Sequence, residues 1–146
     1  VNIPPLSPHG LIQEALWPQE WLILVSCTFL NQTTRKQVEK VWKPFTEMCP
    51  TPQVLLATDP ERVKEVIRSL GFKERRTKNL YRMSEHYLAA NWDHATDLPG
   101  IGPYAGRSWE IFCQGRLGDI EPHDHALRTY WLWCKEQIAR GTMRPW

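Results

Sequence analysis

An all-α domain is the fold this sequence predicts, and three features carry that reading. Capping residues stand directly before prolines at Ser7-Pro8, Thr51-Pro52 and Asp59-Pro60, the pattern of a helix start with proline at its first position. Apolar residues recur at i, i+3, i+4 and i+7 in several stretches. No run alternates β-branched and polar residues as a half-buried strand does, and the connections are short.

In chain order, residues 8–17 read as a short helix stopped by Pro18, which itself can open the next. That next helix, over about 18–30, is apolar nearly all round and is expected at the centre of the core. After a break at Asn31-Gln32-Thr33, the spacing of Val38, Val41, Trp42 and Phe45 predicts an amphipathic helix despite Pro44. Val63, Val66, Ile67 and Leu70 repeat the pattern, with Gly71 suited to the position just past a helix end. Further helices are expected over about 73–90, over 103–114, and from near Asp124 onward through Leu127, Tyr130, Trp131 and Trp133. No internal repeat is visible.

At 146 residues the chain suits one domain of ordinary size, spanning residues 1–146, that buries a core without disulfides. It begins at Val1 rather than Met, consistent with a domain trimmed from a longer protein. No apolar run approaches the ~18–20 residues of a membrane span, and no leader peptide is visible. Cys27, Cys49, Cys113 and Cys134 lack the spacing of a zinc or cluster site. They read as buried free thiols of an intracellular protein. The net charge is only +2, but residues 61–82 carry eight basic side chains against three acidic ones. Such a surplus suits a phosphate-facing surface, and equally a solvated helix face.

The most informative segment is Leu98-Pro99-Gly100-Ile101-Gly102-Pro103-Tyr104-Ala105-Gly106. Two glycines around an apolar anchor, just before a helix, let backbone N–H groups face an anion. An ordinary tight turn explains G-x-G alone just as well. About twenty residues on comes Ile120-Glu121-Pro122-His123-Asp124-His125, an aspartate entering a helix, which by itself reads as an N-cap.

Taken together, these segments resemble the helix-hairpin-helix (HhH-GPD) DNA glycosylase superfamily. Leu11-Ile12-Gln13-Glu14, Phe29-Leu30-Asn31-Gln32-Thr33 and Leu70-Gly71-Phe72 extend the likeness in family order. The branch most resembled is that of the glycosylase domains of methyl-CpG-binding mismatch thymine/uracil glycosylases. The resemblance implies a compact bundle of about eight to ten short helices. It implies a monofunctional enzyme of base excision repair that flips thymine or uracil mispaired with guanine out of the duplex. The enzyme would then hydrolyse the N-glycosidic bond and leave an abasic site.

The same resemblance assigns roles. Asp124 is the catalytic carboxylate, with Tyr104 lining the pocket. Gln13 and Ile12, with Tyr104, meet the base, an amide being suited to a pyrimidine's polar edge. Gln32 and Phe72 are the wedges that fill the gap left by the flipped nucleotide. Taken alone, Gln13 is a polar helix residue, Gln32 a loop residue and Phe72 a core ring. Gly100 and Gly102 hold a backbone phosphate, in relatives through a bound monovalent cation, and Lys73, Arg75, Arg76 and Lys78 add sequence-blind phosphate contacts.

Departures from other branches narrow the chemistry. Bifunctional members carry a Schiff-base lysine where this chain has Tyr104, and adenine-removing members a glutamate where it has Cys27. The C-terminus lacks the four cysteines of an iron–sulfur cluster. His123 and His125 lack helical zinc spacing, so no catalytic metal and no cofactor are expected beyond the hairpin cation. A residue two positions after the aspartate, basic in the mismatch branch, is Ala126 here. The expected partner is double-stranded DNA with a mispaired or deaminated base. A monomer is expected, acting on DNA inside the cell and, in a eukaryote, in the nucleus. The competing readings are a non-catalytic helix-hairpin-helix DNA-binding module and a same-fold glycosylase for an oxidised or alkylated base.

Overall fold

Helix α2, Glu20–Leu30, buries Trp21 through Cys27 and Phe29, and the rest of the fold is arranged around it. A computed structural model describes residues 3–143, which form eight α-helices and two 3₁₀ turns with no strand among those residues. The helices are α1 (Ile12–Leu16), α2, α3 (Arg35–Met48), α4 (Pro52–Leu56), α5 (Pro60–Ile67), α6 (Lys73–Ala89), α7 (Pro103–Phe112) and α8 (His125–Ala139). The 3₁₀ turns are Arg68–Leu70 and Ala95–Asp97. Helix α2 packs against α1, α3, α6 and α7, while α4 and α5 lie on α6. No helix among the described residues is long and apolar enough to cross a membrane.

The caps behave as the sequence predicts at Thr51 and Asp59, whose side chains accept the Val54 and Glu61 N–H groups ahead of a proline at the helix start. Thr34 forms a reciprocal capping box with Gln37 at the start of α3. Pro44 lies inside that helix. It forgoes one bond to the exposed Lys40, whose carbonyl water can satisfy.

The first helix differs. Ser7 Oγ accepts the His9 N–H at 3.2 Å, but no helix follows it, and α1 starts only at Ile12. Glu14 is the cause. Its buried carboxylate gathers the N–H and hydroxyl of Ser7 and the N–H of Leu11, which folds residues 7–11 into a loop rather than a first turn. A buried carboxylate without those donors would cost more than a weak helix start provides. Pro18 does not open α2 either; the helix begins two residues later, at Glu20. At the other helix ends, Gly71 follows the 3₁₀ turn with φ 81°, a conformation glycine adopts freely.

Cys27, Cys49 and Cys134 are buried free thiols, and Cys113 is half-buried. Burial pushes Cys113 and Cys134 each up to about 12 from 9.0.

Candidate functional site: hairpin, pocket and wedges

The glycine segment forms a hairpin between the 3₁₀ turn at 95–97 and α7. Leu98 and Ile101 are buried at 2% and 6% exposure and pin the turn, and the Ile101 N–H donates to the Leu98 carbonyl at 3.2 Å. Gly100 adopts φ +78°, and a Cβ there would already touch the Asn79 side chain at 3.4 Å. Gly102 is the N-cap of α7, with Pro103 in the first turn. The carbonyls of Pro99, Gly100 and Ile101 have no hydrogen-bond partner among the described residues. Such hard, unpaired oxygens are the kind of donor a hard cation takes.

Beside the hairpin three elements converge on a cavity of about 420 Å³. Helix α1 contributes Ile12 and Gln13, the first turn of α7 contributes Tyr104, and the N-cap of α8 contributes Asp124. Gln13 is only 1% exposed. Its Nε2 donates to Tyr104 Oη at 2.8 Å and to Ser108 Oγ at 3.3 Å, with Cys27 Sγ at 3.7 Å behind. Burial raises the Tyr104 phenol well above its ordinary value, and nearby Cys27 and Asp124 add to the shift, so the ring stays neutral at physiological pH.

Asp124 does act as an N-cap: its Oδ2 accepts the Leu127 N–H at 3.0 Å. It also sits on the cavity wall, so the capping bond leaves the residue beside the pocket. A second, more apolar cavity of about 510 Å³ lies beside the same Tyr104–Asp124 pair, between Pro103, Arg107, Ile120, Pro122 and Leu127. His125 lines the first cavity and His123 the second.

Gln32 and Phe72 stand on separate loops, after α2 and before α6. Both have left-handed backbones, with φ 59° and 50°, a strained state for residues other than glycine that concentrates at functional sites. Phe72 is 61% exposed, so it is not the core ring its apolar character alone would suggest. The Arg75 guanidinium lies 4.7 Å from the centre of its ring.

The basic stretch divides in two. Lys64 is paired with Glu61 and Glu74 at 2.9 and 2.8 Å, and Arg68 with Glu65 at 3.4 Å. The α6 portion is different: Lys73, Arg75 and Lys78 are exposed. Arg76 departs from expectation. Its guanidinium is half-buried and bonded to three backbone carbonyls, which makes it a brace in this structure rather than a free phosphate contact.

Two contributors escaped sequence reasoning. Ser108 is fully buried and holds the Gln13 amide. The signal was present, since Tyr104 and Ser108 sit one helical turn apart on one face of α7. Arg35 lines the cavity while donating to the Gly10 carbonyl and pairing with Glu39, and nothing local marked it.

The all-helical domain thus sets a glycine hairpin beside a buried glutamine–tyrosine pair and an aspartate at a helix N-terminus, and comparison with known proteins gives its class. More particularly, residues 25–144 match the family described as HhH-GPD superfamily base excision DNA repair protein, and the chain belongs to that family. It is 36% identical over 129 residues to a methyl-CpG-binding domain protein 4-like protein of Arabidopsis thaliana, covering 88% of this chain and 29% of that protein. It is 33% identical over 91 residues to a thymine-DNA glycosylase of Aeropyrum pernix, covering 58% of this chain and 41% of the relative. The chain thus spans less than half the length of these curated relatives. Among solved structures, a thermostable thymine-DNA glycosylase superposes with a TM-score of 0.64 at 19% identity, covering 70% of this chain and 51% of the other. A trapped endonuclease III–DNA covalent intermediate superposes at 0.63 and 21% identity, covering 71% and 52%. Both likenesses establish the fold.

Proposed function

We propose that this domain is a monofunctional DNA glycosylase that removes thymine or uracil mispaired with guanine. The observation that carries this reading is the placement of Asp124 on the wall of a cavity that also presents Gln13 and Tyr104. A module that only binds DNA needs no such pocket.

The chemistry follows from the geometry. Glycosidic cleavage develops positive charge on the sugar, and a fixed carboxylate nearby stabilises it and orients the attacking water. The Leu127 N–H holds one oxygen of Asp124, which fixes the carboxylate plane and leaves the other oxygen for substrate. Tyr104 packs on the flipped pyrimidine as a neutral ring. The Gln13 amide donates its N–H groups to Tyr104 and Ser108, which leaves its carbonyl oxygen to meet the base edge beside Ile12. Without a lysine at position 104 the pocket lacks the amine for a Schiff base, so hydrolysis ends at the abasic site.

Gln32 and Phe72 enter the duplex to replace the extruded nucleotide, at a flipping cost of a few kcal/mol that is least at a mismatch. The Gly100–Gly102 hairpin faces a backbone phosphate, and its carbonyls of Pro99, Gly100 and Ile101 would be the groups to hold a monovalent cation there. Such a cation supplies positive charge at that phosphate. Lys73, Arg75 and Lys78 add salt-dependent contacts along the backbone. The domain works as a monomer on DNA, in the nucleus where the cell has one.

The test is single-turnover excision on duplexes carrying T:G, U:G or T:A, with Asp124→Asn as control and products run with and without alkali. Alkali-dependent breaks at T:G and U:G that disappear in the variant are expected. Breaks without alkali would reveal a lyase, and binding without excision would return the domain to a DNA-binding module or a glycosylase for another lesion.

A further inference from the structure

Arg76 occupies the first turn of α6, where a basic side chain is poorly placed for the helix dipole and where its neighbours Lys73 and Arg75 point to solvent. Its guanidinium instead turns inward. Nε donates to the Gly71 carbonyl at 2.8 Å, Nη1 to the Thr28 carbonyl at 3.1 Å, and Nη2 to the Asn31 carbonyl at 2.8 Å. The identity of those carbonyls matters. Gly71 immediately precedes Phe72, and Asn31 immediately precedes Gln32. Both following residues hold the left-handed backbone that aims their side chains. Thr28 and Asn31 belong to the end of α2; the Thr28 carbonyl also accepts the Asn31 N–H at 3.3 Å, and the Asn31 carbonyl lies past the helix's own hydrogen-bond ladder. The same guanidinium therefore closes α2, closes the turn before α6 and ties the two together. A small cleft of about 70 Å³ marks the junction, lined by Gln32, Arg76, Asn79, Pro99 and Gly100 among others, so the hairpin abuts the same joint.

We propose that Arg76 is the positioning residue that makes the two wedge loops one rigid unit, setting the spacing and aim of Gln32 and Phe72 through the backbone carbonyl just before each. The inference rests on the wedge reading of those two residues. Planar geometry is essential to it: one fork of five N–H groups reaches three carbonyls from two loops, which a lysine ammonium on a single flexible stem cannot reproduce. Without the tie, each loop relaxes its left-handed residue independently. The duplex is then still bound, but nothing of fixed width fills the gap behind the extruded nucleotide.

The experiment uses the Asp124→Asn background, so that no base is lost, and a U:G duplex with 2-aminopurine beside the uracil. Fluorescence on saturation reads unstacking per bound complex, and titration on undamaged duplex at several salt concentrations reads phosphate contacts. Arg76→Lys retains charge and can still satisfy one carbonyl, which protects folding; Arg76→Met removes all three bonds. For both, we expect the unstacking signal per complex to fall tenfold or more, with affinity for undamaged duplex within about threefold and an unchanged slope of log affinity on log salt. A slope reduced by about one with the signal intact would make Arg76 a phosphate contact and overturn the proposal. An intact signal with an intact slope would overturn it as well. Gln32→Ala and Phe72→Ala report separately on the wedge reading: if neither lowers the signal, that reading fails whatever Arg76 does.

Discussion

On the proposed function Asp124 carries two tasks on one carboxylate, and they can be separated by choice of substitution. Asparagine is as good an N-cap as aspartate, whereas alanine loses the cap at a cost of about 1 kcal/mol. Asp124→Asn is therefore expected to unfold at the same urea concentration as the native chain while losing excision by two orders of magnitude or more. Asp124→Ala should lose both, with its midpoint lowered. Equal midpoints for the two variants would mean that the Leu127 N–H finds another acceptor. The same double role explains why the residue was readable in isolation only as a cap: the local pattern of an acidic residue before a helix is satisfied completely by Leu127. Only the hairpin twenty residues upstream distinguishes it. Gln13 is a comparable case, since nothing in a five-residue helix announces that its amide is buried against a residue 91 positions away. Phe72 is the opposite, a ring whose apolar character suggests the core and whose left-handed backbone sends it to solvent.

At the scale of elements, the hairpin depends on a close approach that the sequence only hints at. A Cβ on Gly106 would lie 2.5 Å from Thr96 Cγ2 and 3.3 Å from the His94 ring. Helix α7 thus rests directly on the 3₁₀ turn that leads into the hairpin. Both neighbours are held, Thr96 by its bond to His94 and its β-branched stem, and His94 against Trp109. Gly106→Ala is expected to destabilise the fold by roughly 1–3 kcal/mol, seen as a lower melting temperature, and to weaken DNA binding as the hairpin shifts. A neutral effect would show that the turn yields freely. Long amphipathic helices such as α3, α5 and α6 were legible because burial of one face dictates both their period and their length. The first helix was not, because a buried carboxylate, Glu14, reorganised the residues before it. Its three hydrogen bonds reach across the loop, and no periodicity reports them.

For the molecule as a whole, the joints between helices are made by a few polar groups set in an apolar interior. Glu20 accepts from Tyr87 Oη and from Trp109 Nε1, joining α2, α6 and α7. Tyr130 reaches the Pro5 carbonyl and Trp131 the Leu117 carbonyl, which ties α8 to the chain's opening segment and to the loop that follows α7. The thiols of this interior are weak acids. Cys113 and Cys134 lie near 12, and Cys27 and Cys49 are raised as well, in each case chiefly by burial. A folded-state value above the unfolded one means stability is fully present below about pH 9 and is lost as pH rises toward 12. The buried tyrosines shift in the same direction. Urea midpoints are accordingly expected to hold to pH 8.5 and fall steadily from there to pH 11. A midpoint flat to pH 11 would show that these thiols ionise without cost.

The bond between Gln13 and Tyr104 has a consequence for the cell. It joins the first helix to the seventh, and the carboxylate that completes the cavity arrives only with the eighth. No partial fold of this chain, whether still emerging from a ribosome or breathing open at one end, owns a finished cavity. On the proposed function, careless base removal would endanger a genome. The cavity needs the first, seventh and eighth helices together, so a half-made copy is disarmed by its own geometry.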